Sequence, residues 1–228
     1  MIYKLILIFF CIQITLYYNI ANAEESEIIN KNYFQIARLK YQGGGDWYND
    51  PSIIPNLALE FTARTGIKIN VQEKVIQIEN SDFFSYPFLF ITGHGNIYFS
   101  KEEIDRLKIY LDNGGFIYVD DDYGMDNFFR KEITKIYPEN KLVELPFSHP
   151  IFSIYYKFPE GLPKIHEHYE GHPKGYGLFI KGRLVLFYTY NTNISDGWAS
   201  PLVHKDPPEK REEAFKMGIN IILYSLLQ

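Results

Sequence analysis

Cysteine is almost missing: the 228 residues hold one, Cys11. It lies in the leading segment, so thiol catalysis and a disulfide framework are both excluded from everything beyond it. Positive charge is in short supply as well. A formal net charge of -5 at pH 7 leaves no basic face to meet phosphates, which excludes nonspecific binding to nucleic acid. The one glycine run, Gly43, Gly44 and Gly45, lacks both a Gly-Lys-Ser/Thr ending and the spacing of a dinucleotide fingerprint, so nucleotide binding has no motif behind it. A helical His-Glu-x-x-His arrangement is missing too, as is any internal repeat. What is plentiful is aromatic: 19 Tyr and 18 Phe imply a ring-rich core whose phenol edges can hydrogen-bond where the site is wet. At 46% hydrophobic and 22% charged residues, the composition excludes collagen-like, coiled-coil and disordered classes, and the length suits one domain.

The first 23 residues read as a separate object. Lys4 supplies a positive start, residues 5–16 form an apolar run broken only by Gln13 and Thr15, and Ala21-Asn22-Ala23 is a small-x-small cleavage site. That run is shorter than the ~20 residues of a spanning helix, so a signal peptide is expected rather than a retained anchor. Phe10 before Cys11 is too bulky for lipidation. Cleavage after Ala23 makes the protein periplasmic or secreted, with membrane contact only through the uncleaved segment. Residues 24–32 read as an acidic solvated tail and residues 33–228 as the domain.

Strand-like and helix-like segments then alternate. Residues 34–41 are expected as a strand, followed by a helix with Pro51 in its first turn, Ile54, Leu57, Ala58 and Phe61 inward, and Gly66 as its stop. Residues 67–71 and 75–78 are short strand candidates; residues 88–92 are a continuous apolar run of the kind buried in parallel sheets. Ser100 with Glu103 makes a capping box for a helix ended by Gly114. Residues 116–119 are the next strand, and Phe128, Phe129, Ile133 and Ile136 line a further helix. Residues 142–175 read as long loops, residues 177–180 and 184–190 as a hairpin around Lys181-Gly182, and the last helix begins near Pro208. The expected fold is α/β: three layers, a mostly parallel sheet with helices on both faces, a late β-hairpin and a C-terminal helix.

Functional groups of an open parallel sheet gather where the strands deliver their carboxyl ends. Four polar clusters fall there: Gly44, Gly45, Asp46 and Trp47; Gly93, His94 and Gly95; Asp120, Asp121 and Asp122; and residues 191–198 with Asn191, Asp196 and Trp198. Adjacent carboxylates repel, so at least one of the triplet should titrate high unless a cation or hydrogen bonds offset this. The triplet can supply a base, a nucleophile or oxygen ligands for a divalent cation, and Asp122 can equally be a plain helix cap. His94 between two glycines offers its ring to a ligand or is a simple turn residue. Asp46, Trp47 and Tyr48 suit a sugar-binding wall. His166, His168 and His172 with Glu167 and Glu170 form the densest imidazole group; with no cysteine and no helical His-Glu-x-x-His arrangement a solvated loop is the expected reading ahead of zinc, and no metal ligand is assigned. His149 before Pro150 reads as a turn residue and Arg183 as structural.

The motifs YQGGGDWYND, YPFLFITGHG, FSKEEIDRLKIYLDNGGFIYVDDDYG, LPFSHPIF, GRLVLFYTYN and GINIILY resemble the DUF4159 family of bacterial and archaeal domains, from about Tyr33 to Tyr224. The resemblance implies a class I glutamine amidotransferase-like fold. In true amidotransferases a cysteine sits on the turn after the strand matching residues 116–119; here Asp121 or Asp122 stands at that turn. Thioester chemistry is therefore not implied. Two functions remain: a module binding a polar ligand such as a saccharide, or a partner's loop, in the rim crevice, or a hydrolase of a glycan or peptide fragment using Asp121, Asp122 and His94.

Export with cleavage after Ala23 predicts a mature N-terminus at Glu24. N-terminal sequencing of the protein from the extracytoplasmic fraction checks this; a membrane-held chain beginning at Met1 would refute it.

Overall fold

The computed structural model describes residues 33–166 and 168–228. The leader, the acidic tail, Cys11 and Glu167 lie outside the described residues. The chain divides into Met1–Phe34 and Gln35–Gln228, and the second unit holds every element named below. Strands β1 (Ile36–Leu39), β2 (Lys74–Ile76), β3 (Phe88–His94), β4 (Phe116–Tyr123), β5 (Val143–Glu144), β6 (Lys174–Ile180) and β7 (Arg183–Tyr190) form one sheet. Its order is β2-β1-β3-β4-β7-β6-β5. The first five in that order run parallel, and β6 and β5 complete the edge antiparallel. The helices are α1 (Ile53–Thr65), α2 (Lys101–Asp112), α3 (Asp126–Ile136), α4 (Pro201–His204) and α5 (Pro208–Leu227). None among the described residues is long and apolar enough to cross a membrane.

The two-residue period of the strands sorts their side chains onto two faces. Ala37, Leu39, Leu89, Ile91, Ile117 and Val119 share a core with Leu107 and Leu111 of α2 and Phe129, Ile133 and Ile136 of α3. The alternate residues Ile36, Phe88, Phe90 and Tyr118 meet Ile54 and Leu57 of α1, Gly218 and Ile221 of α5, and Trp198. Helices therefore cover both faces. Local signals hold at the ends: both halves of the capping box form at Ser100 and Glu103, and Gly66 closes α1 at φ 73°.

Several expectations change. Residues 67–71 form no strand, and Ile67 and Val71 face solvent. Phe128 turns outward while Phe129 takes the core position. The loop region contributes the short edge strand β5, and β6 starts at Lys174, earlier than its apolar run. The largest change is at β4, which does not end at Val119 but continues through all three aspartates to Tyr123. Apolar composition marks where a strand is buried between helices; backbone pairing with β3 carries this one on to the rim.

Arg38 is fully buried in β1, on a position where a charged group needs every proton matched. Its guanidinium donates to Glu73 twice, at 3.0 Å each, and to the carbonyls of Trp47 at 3.1 Å, Asn49 at 2.7 Å and Asp50 at 3.1 Å. One side chain thus pins the loop after β1 over the sheet edge. Arg38→Met is expected to cost about 3–5 kcal/mol, because it leaves Glu73 and three carbonyls without a donor. Urea denaturation checks this, and a loss below about 1 kcal/mol would mean the loop holds itself.

Candidate functional site

Strand order reverses beside β1: β2 lies on one side of it, and β3 followed by β4 on the other. A crevice opens at such a switch point because the connecting loops diverge in opposite directions. Three glycines let the loops after β1 and β3 approach. A Cβ on Gly43 would lie 2.9 Å from the Asn96 carbonyl oxygen, one on Gly45 2.7 Å from that of His94, and one on Gly93 2.5 Å from the Tyr41 hydroxyl. The close approach lets Asp46 grip His94. Its Oδ1 accepts the His94 backbone N–H, and its Oδ2 lies 2.9 Å from the ring Nδ1.

Between Gly93 and His94 the pairing of β3 with β4 slips, so that Gly93 faces Asp121 and His94 faces Tyr123. Asp122 is the extra residue. A bulge of this kind re-aims a side chain, and here the Asp122 Oδ2 comes within 3.2 Å of His94 Nδ1. Asn49 donates to Asp122 Oδ2 at 2.5 Å, and Asn193 donates to its Oδ1 at 2.6 Å. Burial pushes the Asp122 carboxyl up to about 7, with Asp196 adding to the rise and His94 opposing it. Burial works against the charged His94 ring, yet Asp122 and Asp46 outweigh it and raise its pKa. Asp46 is held below its ordinary value despite partial burial, through its bonds from His94.

The other two aspartates do different work, because neighbours on a strand face opposite ways. Asp120 accepts from the Thr189 hydroxyl at 2.5 Å and the Ser195 N–H at 2.6 Å, tying β4 to β7 and to the turn beyond it. Asp121 points to the α2/α3 face and accepts the Met125 N–H at 2.9 Å, just ahead of α3. Asp122 does not cap that helix, whose N-cap position is Met125 with no side-chain cap bond. All three are buried, and the three carboxylates do not converge on one point.

The imidazole group of the 160s separates. His166 has its Nδ1 at 2.9 Å from Asp196 and its Nε2 at 2.7 Å from Asp206. His168 lies 2.9 Å from Asn193 Nδ2 and packs its ring on Tyr123, 4.8 Å between centroids. His172 is exposed. His204, at the end of α4, faces Asp50 through Nε2 and stands 3.6 Å from Asp196 Oδ1. The Asp196 bond raises His166 to about 9 against the pull of burial, and burial with nearby His166 lowers His168. Asn193 joins the two halves of the rim, since its amide also reaches Asp196 Oδ2 at 3.3 Å. Its own Oδ1 is buried without a protein partner.

The remaining candidates frame the site. Trp198 is sealed between sheet and α5, where its indole donates to the Ala214 carbonyl at 2.8 Å and Gly218 leaves room for its ring. Trp47 packs against the α2/α3 core from the loop that carries Asp46. Asn191 braces the loop before β6 by accepting the Tyr169 N–H at 3.2 Å. Gly44 is open, and Gly95 donates to the Tyr123 carbonyl at 3.3 Å. Arg183 holds carbonyls of residues 111, 114 and 115, and His149 accepts the Ile151 N–H, both structural. Sequence reasoning passed over Asn49, Asp50, Asn193, His204 and Asp206. Only Asn193, inside the cluster after β7, carried a positional signal; the others are brought in by Arg38 and by the short α4.

The sequence matches the family described as Domain of unknown function (DUF4159) over residues 35–226. No curated protein matches the chain.

Burial pushes Asp121 up to about 6 from an ordinary 3.8. Between those values the folded chain binds the extra proton, so stability falls as pH rises through the window. Asp121→Asn keeps an acceptor for Met125 and removes the titration. It should be more stable than the parent by roughly 1–3 kcal/mol at pH 8, with the gap closing below about pH 4. Urea denaturation across pH checks this; an equal difference at both ends would contradict it.

Proposed function

Because the chain belongs to the DUF4159 family, whose description assigns no activity, we propose its function from the rim itself: it binds a polar, hydroxyl-rich ligand of the saccharide type in the crevice at the carboxyl ends of the strands. One observation carries the reading. A hydrogen-bonding floor of Asp46, Asp122, Asn193 and His94 adjoins a shelf of stacked rings. Tyr123 lies 5.3 Å from Tyr169, and Tyr169 lies 5.9 Å from Tyr190. Flat rings beside carboxylate and amide groups suit a ligand with apolar C–H faces and hydroxyl edges. Tyr123 is 46% exposed, so the shelf is open to such a ligand. The leader read in residues 1–23 supports assigning this binding to an extracytoplasmic compartment. A cation at the aspartate triplet draws no support from side chains that point to different faces.

Hydrolysis of the bound ligand is the second reading, favoured by the Asp46–His94–Asp122 contact. Both carboxylates meet Nδ1, which leaves Nε2 of a half-exposed ring to take a proton from water. The nucleophile in this reading is that water, activated by His94.

Calorimetry of the full-length protein against glycan and peptidoglycan fragments tests the proposal. At least one fragment should bind, and Tyr123→Ala and His94→Ala should each weaken it tenfold or more while melting like the parent. Binding unchanged in both variants would overturn the site. Product release from the bound fragment would decide for hydrolysis, and its recovery intact for binding alone.

A further inference from the structure

Beside the His94 pair, the geometry points to a second centre: we propose that His166, Asp196 and His204 bind one divalent transition-metal ion of the zinc type. The Asp196 carboxylate stands between two imidazoles, with Oδ2 at 2.9 Å from His166 Nδ1 and Oδ1 at 3.6 Å from His204 Nε2. One ligand atom from each of the three residues lies within 4.8 Å of the others. In a tetrahedral site with bonds of about 2.0–2.1 Å, ligand atoms sit about 3.3 Å apart, so the set has to draw in by no more than about 1.5 Å to hold an ion. Two nitrogens and a carboxylate oxygen are donors that suit such an ion, and three protein ligands leave a coordination position open.

A second observation bears on the same ion. His166 turns its other nitrogen to Asp206 Oδ1 at 2.7 Å, and that carboxylate is 5% exposed. By accepting the Nε2–H, Asp206 fixes the ring so that Nδ1 faces the ion once the metal displaces the proton it shares with Asp196, the usual outer support of a ligating histidine. Asp206 Oδ2 is buried without a protein partner. Asp50 lies against Nε2 of His204. Among the described residues no Lys or Arg forms an ion pair with Asp50, Asp196 or Asp206, so the imidazoles alone oppose their charge.

The supports are built into the fold. Asp196 rides a 3-10 turn, Ile194–Trp198, whose Gly197 lies so near Ala214 of α5 that an added Cβ would stand 2.4 Å from the Ala214 Cβ. Asp50 is held by Arg38 through its carbonyl. This proposal uses residues other than those of the saccharide reading, and it is measured without any organic ligand, so either can fail alone.

The test is to strip the full-length protein with a chelator, dialyse it and titrate it with zinc alone, with bound metal counted by mass spectrometry. One equivalent per chain is expected. His166→Gln and His204→Gln should each weaken binding at least a hundredfold, Asp206→Asn about 10–100-fold, and His172→Ala not at all. Ring resonances of His166 and His204 in the parent should shift on adding zinc while His172 stays still, which carries the test even where a variant fails to fold. No binding, binding unchanged in the two histidine variants, or shifts confined to His172 would overturn the assignment.

Discussion

Too many carboxylates meet at one edge of this sheet for the cations available. Asp46, Asp50, Asp122, Asp196 and Asp206 gather at the carboxyl rim, and among the described residues their only ion-pair partners are His94, His166 and His204. Imidazole is the one cationic side chain whose charge changes near neutral pH, so the balance of the rim depends on protons rather than on fixed charge. Burial, with Asp196 adding to it, holds the Asp122 carboxyl high, and the Asp196 bond holds His166 above an ordinary histidine. A site of this kind answers to pH, to a cation or to a ligand with donors, whereas Arg–carboxylate pairs would have frozen it.

The rest of the molecule supplies the restraint that repulsion alone would undo. Arg38 spends its whole guanidinium on Glu73 and three loop carbonyls, and so delivers Asn49 and Asp50 to the rim without entering it. Asp120 fastens the turn that carries Asn193 and Asp196. Trp198 seats that turn on α5, in the space Gly218 leaves. Three buried polar anchors, Arg38, Asp120 and Trp198, therefore surround the crevice, and each is satisfied by protein donors or acceptors, which keeps the charged groups in fixed geometry.

Much of the architecture was legible in residues. Continuous apolar runs marked β3 and the first half of β4, the Ser100–Glu103 pair marked α2, and Lys181-Gly182 marked the hairpin turn. The clusters after β1, β3, β4 and β7 do share one rim, since parallel strands deliver their ends together. What composition hides is direction. Three consecutive aspartates look like one ligand set, yet strand alternation sends Asp121 to the opposite face and a bulge turns Asp122 to His94. His166 and His168 look like a pair, yet they take different partners. His204 stands 38 residues beyond His166 in a four-residue helix that no periodicity announces.

If the rim is one coupled acid–base unit, each imidazole must respond to the loss of the carboxylate beside it. Histidine ring titrations followed by NMR in metal-free protein test it most directly, with the parent compared to Asp122→Asn. His94 should titrate above the ordinary histidine range in the parent and drop back in the variant, while His149, outside the rim, should keep its midpoint. A His94 midpoint unmoved by the loss of Asp122 would contradict it.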